Sequence, residues 1–406
     1  MNMKYIVILG DGMADYPMEQ LGGRTPLQAS YKPHMDYLAK NGRTGMVKTI
    51  PDGIPPGSDA ANLSVMGYNP RLYYTGRSPL EAVSMGIHLG PDDVAFRCNL
   101  VTLSDEPDYE NKTLIDYSSD EISSSEAAVL ISEVNSRFKT DRIGYHAGIS
   151  YRHCMVWKDG PTGLNLTPPH DILERKVTDY LPKGEYGSLL LEMMKASYPL
   201  LKDHPVNRDR VSRGLRPANS IWLWGEGKKP AIPKFQEKFG LQGSVISAVD
   251  LIKGIGICAG LKSVEVEGAT GNVHTNFRGK ALAALKELEQ GSDFVYVHVE
   301  APDECGHRFE IENKVKSIEY IDEQVIGTIL AGMEQFPDYR ILVLPDHPTP
   351  LSLRTHTPEP VPFLVYQKSS PAVSGVQGYD EFQAQQTGIF IEEGYRLMDG
   401  FIRGSL

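Results

Sequence analysis

Asp293–His307 reads DFVYVHVEAPDECGH, and the rest of the chain can be placed around it. Its first half, Phe294 to Val299, is a short β-branched and aromatic run, the pattern of a buried strand. Its second half sets Glu300, Asp303, Glu304 and His307 in a segment that Pro302 and Gly306 predict to be a turn. Ionisable groups directly after a buried strand lie at the carboxyl edge of a sheet, where open α/β sheets bind their ligands. Asp303 and His307 offer a hard oxygen and an imidazole nitrogen, a pairing that suits Zn²⁺ or Mn²⁺ better than Ca²⁺. Taken alone, the stretch fits a loop of solvated acids equally well.

Other strand ends repeat the theme. Tyr5 to Leu9 (YIVIL) is a continuous apolar run suited to a central strand, and Asp11 follows it between two glycines. Ile341 to Leu344 is another such run and ends in the Asp346-His347 pair of LPDHPTP; His356 comes soon after, in RTHTPEPVPF. A Pro/Gly-rich loop, Pro51 to Gly57, stops at Ser58, with a helix predicted over Ala60 to Met66. Ser58 there either caps the helix or serves as a nucleophile whose developing charge the helix N-terminus stabilises. The periodicity predicts one long amphipathic helix over Val315 to Met333, and a strand and turn carrying Lys253 over Ser244 to Ile257.

At 406 residues the chain exceeds one ordinary core, so two domains are expected. A formal net charge of -11 argues against general binding to nucleic acid or to an anionic membrane, while leaving room for a small anionic substrate in a local cationic pocket. The four cysteines are scattered without a CxxC pair, as in reduced cytosolic proteins. No signal peptide or membrane span is visible, and the expected location is the cytoplasm.

The character changes near Val94. Residues 93–235 read as an α/β module of their own, between metal-type segments 1–92 and 236–406. Basic residues gather in it: Arg152 and His153 break a strand, and NRDRVSRGLRPAN carries Arg208, Arg210, Arg213 and Arg216. Most such charges mark a solvated face; one or two forking a carboxylate or phosphate is the sharper reading. Arg77, in YYTGRSPLEA, is either a surface cation or a cleft residue.

Together Asp11, Ser58, Asp303, His307, Asp346, His347 and His356 can furnish two adjacent metal sites, and two metals can clamp a phosphoryl group during in-line transfer. The blocks DGM, PPGSDAANLS, YYTGRSPLEA, NRDRVSRGLRPAN, VHVEAPDECGH, LPDHPTP and HTPEPVPF, in this order, resemble the archaeal-type cofactor-independent phosphoglycerate mutases of the alkaline phosphatase superfamily. The resemblance runs nearly the whole chain. It implies an α/β fold, an alkaline-phosphatase-like three-layer metal domain with a smaller transferase domain inserted in it.

The resemblance also implies roles. Asp303, His307 and His356 would hold one divalent ion. Asp11, Ser58, Asp346 and His347 would hold the other, with Mn²⁺, Mg²⁺ or Zn²⁺ as candidates and no 2,3-bisphosphoglycerate required. Ser58 would be the phosphorylated nucleophile and Lys253 a lysine near the phosphate; from the basic cluster itself, Arg152, His153, Arg208 and Arg210 are the expected substrate ligands. The expected partner is a small phosphorylated substrate, phosphoglycerate, with neither nucleic acid nor membrane, in a monomer or small homo-oligomer. Phosphate transfer to another small alcohol such as homoserine stays open, because WLWGEGK marks a bacterial branch for which that acceptor is an alternative. So do a plain phosphatase and a catalytically dead, metal-binding or regulatory protein.

Overall fold

The computed structural model describes residues 3–406. The chain forms two compact units, one of Met1–Tyr74 with Ile232–Leu406 and one of Thr75–Ala231. Residues 75–92, expected with the metal-type segments, belong to the inserted unit instead. The Ser78–Ser84 helix packs on that unit's sheet: Ser78 donates to the Gly225 carbonyl, and Glu81 pairs with Arg97 at 3.0 Å.

The larger unit is built on an eight-stranded sheet. Its spatial order is Phe390–Ile391, Arg43–Val47, Val361–Gln367, Tyr339–Leu344, Lys4–Gly10, Phe294–Val299, Gly243–Ile246 and Lys262–Val264. YIVIL is central, parallel to both neighbours, with Tyr5 opposite Phe294 and Lys4 opposite Tyr339. Val361–Gln367 runs antiparallel to the strands on either side, so the sheet is mixed. The pleat divides the core. Ile6, Ile8, Val295, Val297, Ile341 and Val343 pack with Phe277, Ala281, Ile318 and Ile329 of the helices on one face. Tyr5 and Tyr296 point the other way, toward Phe401 at 5.8 Å and Asn62 at 2.7 Å. Helices on both faces explain why these strands are apolar throughout rather than alternating.

Three local expectations are corrected. The segment after Val299 is a helix, Ala301–Arg308, not a turn: Pro302 stands in its first turn, where a missing N–H costs nothing. Gly306 is interior because a Cβ there would lie 2.5 Å from the Thr349 carbonyl oxygen. Lys253 sits on a helix, Asp250–Cys258. The long helix is interrupted by a π-type stretch, Ile321–Ile326, between Ile311–Tyr320 and Gly327–Met333. Asp322 in that stretch accepts from the Met35 N–H at 2.7 Å and so caps the Pro33–Lys40 helix.

The inserted unit has an antiparallel sheet with Val94–Leu103 at its centre, paired with Arg152–Trp157 and Ser220–Lys228. Ser124–Phe138 and Gly184–Lys202 contribute Leu130, Val134, Leu190 and Met194 to its core.

Candidate active site

Four segments of the larger unit converge at the carboxyl ends of its parallel strands. Asp11 leaves the Lys4–Gly10 strand and is 1% exposed. Gly12 after it has φ +63°, and a Cβ there would meet the Thr349 Oγ1 at 2.6 Å and the Asp303 Cα at 2.7 Å, so only glycine serves. Asp303 and His307 stand one turn apart on the Ala301–Arg308 helix and therefore share a face. Asp346 and His347 follow the Tyr339–Leu344 strand and are fully buried.

Asp303, His307 and His356 form the first cluster. His307 Nε2 is 3.2 Å from Asp303 Oδ2 and 3.0 Å from His356 Nε2, and His356 Nε2 is 3.3 Å from Asp303 Oδ1. Ligands of one tetrahedral ion lie about 3.4 Å apart for metal–nitrogen bonds of roughly 2.1 Å, so the spacing suits a shared ion. The Nδ1 of His307 donates to the Arg354 carbonyl at 2.9 Å and so turns Nε2 toward Asp303, where a divalent ion would replace the proton it shares with that carboxylate. Arg354 has φ +57°, a strained backbone that aims this carbonyl at the imidazole. Burial opposes ionisation of Asp303, but hydrogen bonds from His307 and His356 and the nearby imidazole charge outweigh it and hold the carboxyl well below its usual range.

Asp11, Ser58, Asp346 and His347 form the second. His347 Nε2 lies 3.1 Å from Ser58 Oγ, 3.4 Å from Asp346 Oδ2 and 3.5 Å from Asp11 Oδ1. Ser58 Oγ is also 3.5 Å from Asp11 Oδ2. Ser58 opens the Ser58–Val65 helix, whose N-terminus favours an anion. The two clusters adjoin: the His347 and His356 rings are 4.1 Å apart. Burial, reinforced by Asp346, Asp303 and Glu300, pushes the Asp11 carboxyl well above its ordinary range. Buried Asp11 Oδ1 has no hydrogen-bond partner, the condition of an oxygen shaped for a cation. Both donor sets thus fit divalent ions with mixed oxygen and nitrogen preferences.

The same atoms can be divided differently, into Asp303, His347 and His356 and into Asp11, His298 and Asp346. Hydrogen bonding argues against His298 as a ligand. Ser247 Oγ accepts from the Val249 N–H at 2.9 Å and so gives its proton to His298 Nδ1 at 3.1 Å. His298 Nε2 then carries the ring proton and donates it to Asp11 Oδ2 at 3.0 Å. His298 orients Asp11 and leaves Oδ1 free. Asn62 does the same for Asp346: its amide donates to Oδ2 at 2.8 Å and to the Ser58 carbonyl at 2.8 Å. Sequence reasoning passed over both, although Asn62 lies four residues after Ser58 on one helix face and His298 is the single imidazole in an apolar strand.

The remaining expected residues are less united. Lys253 is held by Glu265 through contacts of 2.7 and 2.9 Å, not by any of the ligand-type residues. Arg210 is 2% exposed, and its guanidinium is spent on the Arg216 carbonyl, Glu126 and the Ser119 carbonyl, which removes it as a substrate fork. Arg208 is exposed on the Pro205–Ser212 helix. Arg152 and His153 do not act as a pair, since successive strand residues face opposite ways. His153 is paired with Cys98; its Nδ1 accepts from the Gly148 N–H at 3.0 Å, and its buried Nε2 has no partner. Burial pushes its pKa down to about 3.

Arg152 instead shares a face with Arg97 and Asn99. Arg97, unmarked in the sequence reading, lies 4.5 Å over the Trp224 ring and pairs with Glu81, which also holds Arg77 at 3.1 Å. Burial depresses the Arg97 pKa, Glu81 opposes that, and the charges of Arg77 and Arg152 depress it further. Two arginines share the Glu81 carboxylate, and with Arg152 on the same strand face they leave a net cationic cluster in an acidic chain. An arginine inside the apolar run VAFRCNLVTL was the available signal.

A family model described as 2,3-bisphosphoglycerate-independent phosphoglycerate mutase matches residues 39–207. The chain is 54% identical to a probable 2,3-bisphosphoglycerate-independent phosphoglycerate mutase of Geobacter sulfurreducens, over 98% of this chain and 99% of that one. It is 50% identical to the Methanothrix thermoacetophila enzyme of the same description, over 99% and 100%. Among solved structures, the PH0037 protein of Pyrococcus horikoshii superposes with a TM-score of 0.83 at 28% identity, covering 99% and 97%. The cofactor-independent phosphoglycerate mutase of Thermoplasma acidophilum does so with 0.68 at 25% identity, covering all of both chains. With half its residues shared along essentially the full length of such relatives, the chain belongs to the 2,3-bisphosphoglycerate-independent phosphoglycerate mutase family.

Proposed function

We propose that this chain interconverts 3-phosphoglycerate and 2-phosphoglycerate through a phosphoserine on Ser58. The observation that carries the reading is the position of Ser58 Oγ, at a helix N-terminus, 3.1 Å from His347 Nε2 and 3.5 Å from Asp11 Oδ2. Family membership supports it, since the relatives are phosphoglycerate mutases by description. Asp303, His307 and His356 would hold one divalent ion, and Asp11, Ser58, Asp346 and His347 the other. When bound, the ions would lower the pKa of the serine hydroxyl and neutralise phosphoryl charge.

The chain's own groups perform the rest. Ser58 Oγ gives up its proton and forms a bond to phosphorus as the bond from phosphorus to the glycerate 3-oxygen breaks, and that oxygen takes up a proton, so the step is proton-neutral. The glycerate 2-hydroxyl then gives up its proton, attacks the phosphoserine and frees Ser58. His298 and Asn62 hold Asp11 and Asp346 in place through both steps. Within the inserted unit, the Arg77, Arg97 and Arg152 cluster is the candidate anion-binding group, since planar guanidinium forks match a carboxylate or phosphate. Among the described residues no helix is long and apolar enough to cross a membrane.

The test supplies metal-loaded protein with 3-phosphoglycerate in the absence of 2,3-bisphosphoglycerate and follows 2-phosphoglycerate and free phosphate together. Formation of 2-phosphoglycerate with little free phosphate is expected. Free phosphate alone would mean a phosphatase, and ATP-dependent phosphorylation of homoserine with no mutase turnover would assign a different acceptor.

A further inference from the structure

Thr349 was not marked in the sequence, yet it touches both ligand clusters. Its Oγ1 is 2.5 Å from Asp303 Oδ1 and 3.2 Å from His347 Nδ1. Asp303 belongs to one set of ligands and His347 to the other. A carboxylate oxygen only accepts, and a hydroxyl has one proton, so Thr349 donates to Asp303. Its lone pair must then receive the Nδ1–H of His347. That fixes the tautomer: His347 Nε2 is bare where it faces Ser58 Oγ, Asp346 and Asp11.

The hydroxyl is itself held rigidly. Thr349 is fully buried, and its β-branched side chain is stiff at χ1. Its N–H donates to the Ala14 carbonyl at 3.2 Å, and its carbonyl accepts from Lys314 Nζ at 2.8 Å. Gly12 and Gly306 pack so closely that a Cβ on either would intrude on Thr349, at 2.6 Å from Oγ1 and 2.5 Å from the carbonyl oxygen respectively. Neither ligand can turn without disturbing the hydroxyl it shares with the other.

We propose that Thr349 is a positioning residue that couples the two ion sites: its single hydroxyl orients Asp303 and His347 together, so that filling one site favours filling the other. The inference rests on the two-metal reading above. An ion at the first site would hold Asp303, and through the shared Thr349 hydroxyl the His347 ring, in the geometry that the second site needs.

Calorimetric titration of the full-length, metal-stripped protein with Mn²⁺ tests the coupling. Two ions per chain, bound with positive cooperativity, are expected. Thr349→Val keeps the shape without the hydroxyl and should weaken binding at both sites by about 10- to 100-fold and abolish the cooperativity, while Thr349→Ser restores both. A second readout needs no metal: imidazole ¹⁵N–¹H correlation spectra of the wild type and Thr349→Ser should show His347 protonated at Nδ1, and Thr349→Val should show a mixture of tautomers. One ion or none per wild-type chain removes the two-metal reading and the coupling with it. Two ions in the wild type with unchanged affinities in Thr349→Val removes the coupling alone. So does a wild-type His347 protonated at Nε2, a result that holds even if Thr349→Val fails to fold.

Discussion

Lys314 Nζ lies 2.7 Å from Asp15 Oδ2, and neither side chain has appreciable contact with water. Asp15 also accepts from the Leu351 N–H at 3.1 Å, and Lys314 donates to the Thr349 carbonyl at 2.8 Å. The pair ties together the loop after Asp11, the helix that follows His307 and the loop after His347. Lys314→Met would leave a buried carboxylate unpaired and should cost about 3–5 kcal/mol of stability. Adding Asp15→Asn, which keeps an acceptor for Leu351, should recover part of that loss. Urea unfolding midpoints of the two variants check the order; equal losses would show that the charge pairing is not what holds these loops.

Ser58→Ala should abolish formation of 2-phosphoglycerate. Three protein ligands of its cluster, Asp11, Asp346 and His347, remain, so the variant should still bind metal. Elemental analysis together with acid-stable ³²P incorporation from labelled substrate separates the roles. Retained turnover would exclude Ser58 as the nucleophile.

Arg97→Lys keeps the charge but loses the planar fork that faces Glu81 and stacks on Trp224. The expected result is a fall in kcat/KM of about 10- to 100-fold, or roughly 1.4–2.7 kcal/mol, carried mainly by KM. Unchanged KM for 3-phosphoglycerate would take Arg97 out of substrate binding.

Glu381 accepts from the Thr25 hydroxyl at 2.8 Å and the Asp15 N–H at 3.1 Å, and burial pushes its pKa up to about 7. Folding therefore favours its neutral form. The stability this contributes is complete below the unfolded value, about 4.3, and disappears as pH rises through about 7. Glu381→Gln removes the dependence. Its stability relative to wild type should improve by about 1–2 kcal/mol between pH 5 and pH 8, the side chain being only partly buried. Thermal melts of both proteins at the two pH values give the difference directly.

The strands and most of the ligand-type residues were legible because they are local patterns: an apolar run, then a carboxylate or imidazole. What escaped was nonlocal. Asp303 and His307 carry the same spacing in a turn or a helix, and Pro302 and Gly306 read as breakers until their first-turn and close-packing roles are seen. Arg210 looked like its neighbours in an arginine-rich stretch; only its burial against Glu126 and two carbonyls sets it apart. His298, Asn62 and Thr349 bond to ligands distant in sequence, so no window along the chain could reveal them. The boundary at residue 75 was missed because the Ser78–Ser84 helix precedes the strand on which it packs.

The central strand has a consequence for synthesis of the chain. YIVIL is made long before either of its neighbours, Phe294–Val299 and Tyr339–Leu344. At about 5–20 residues per second, the first partner follows roughly 15–60 s later. Throughout that interval an apolar, aggregation-prone strand has no native edge to join, and it calls for shielding by a chaperone. The ligand sets are also incomplete until His356 leaves the ribosome.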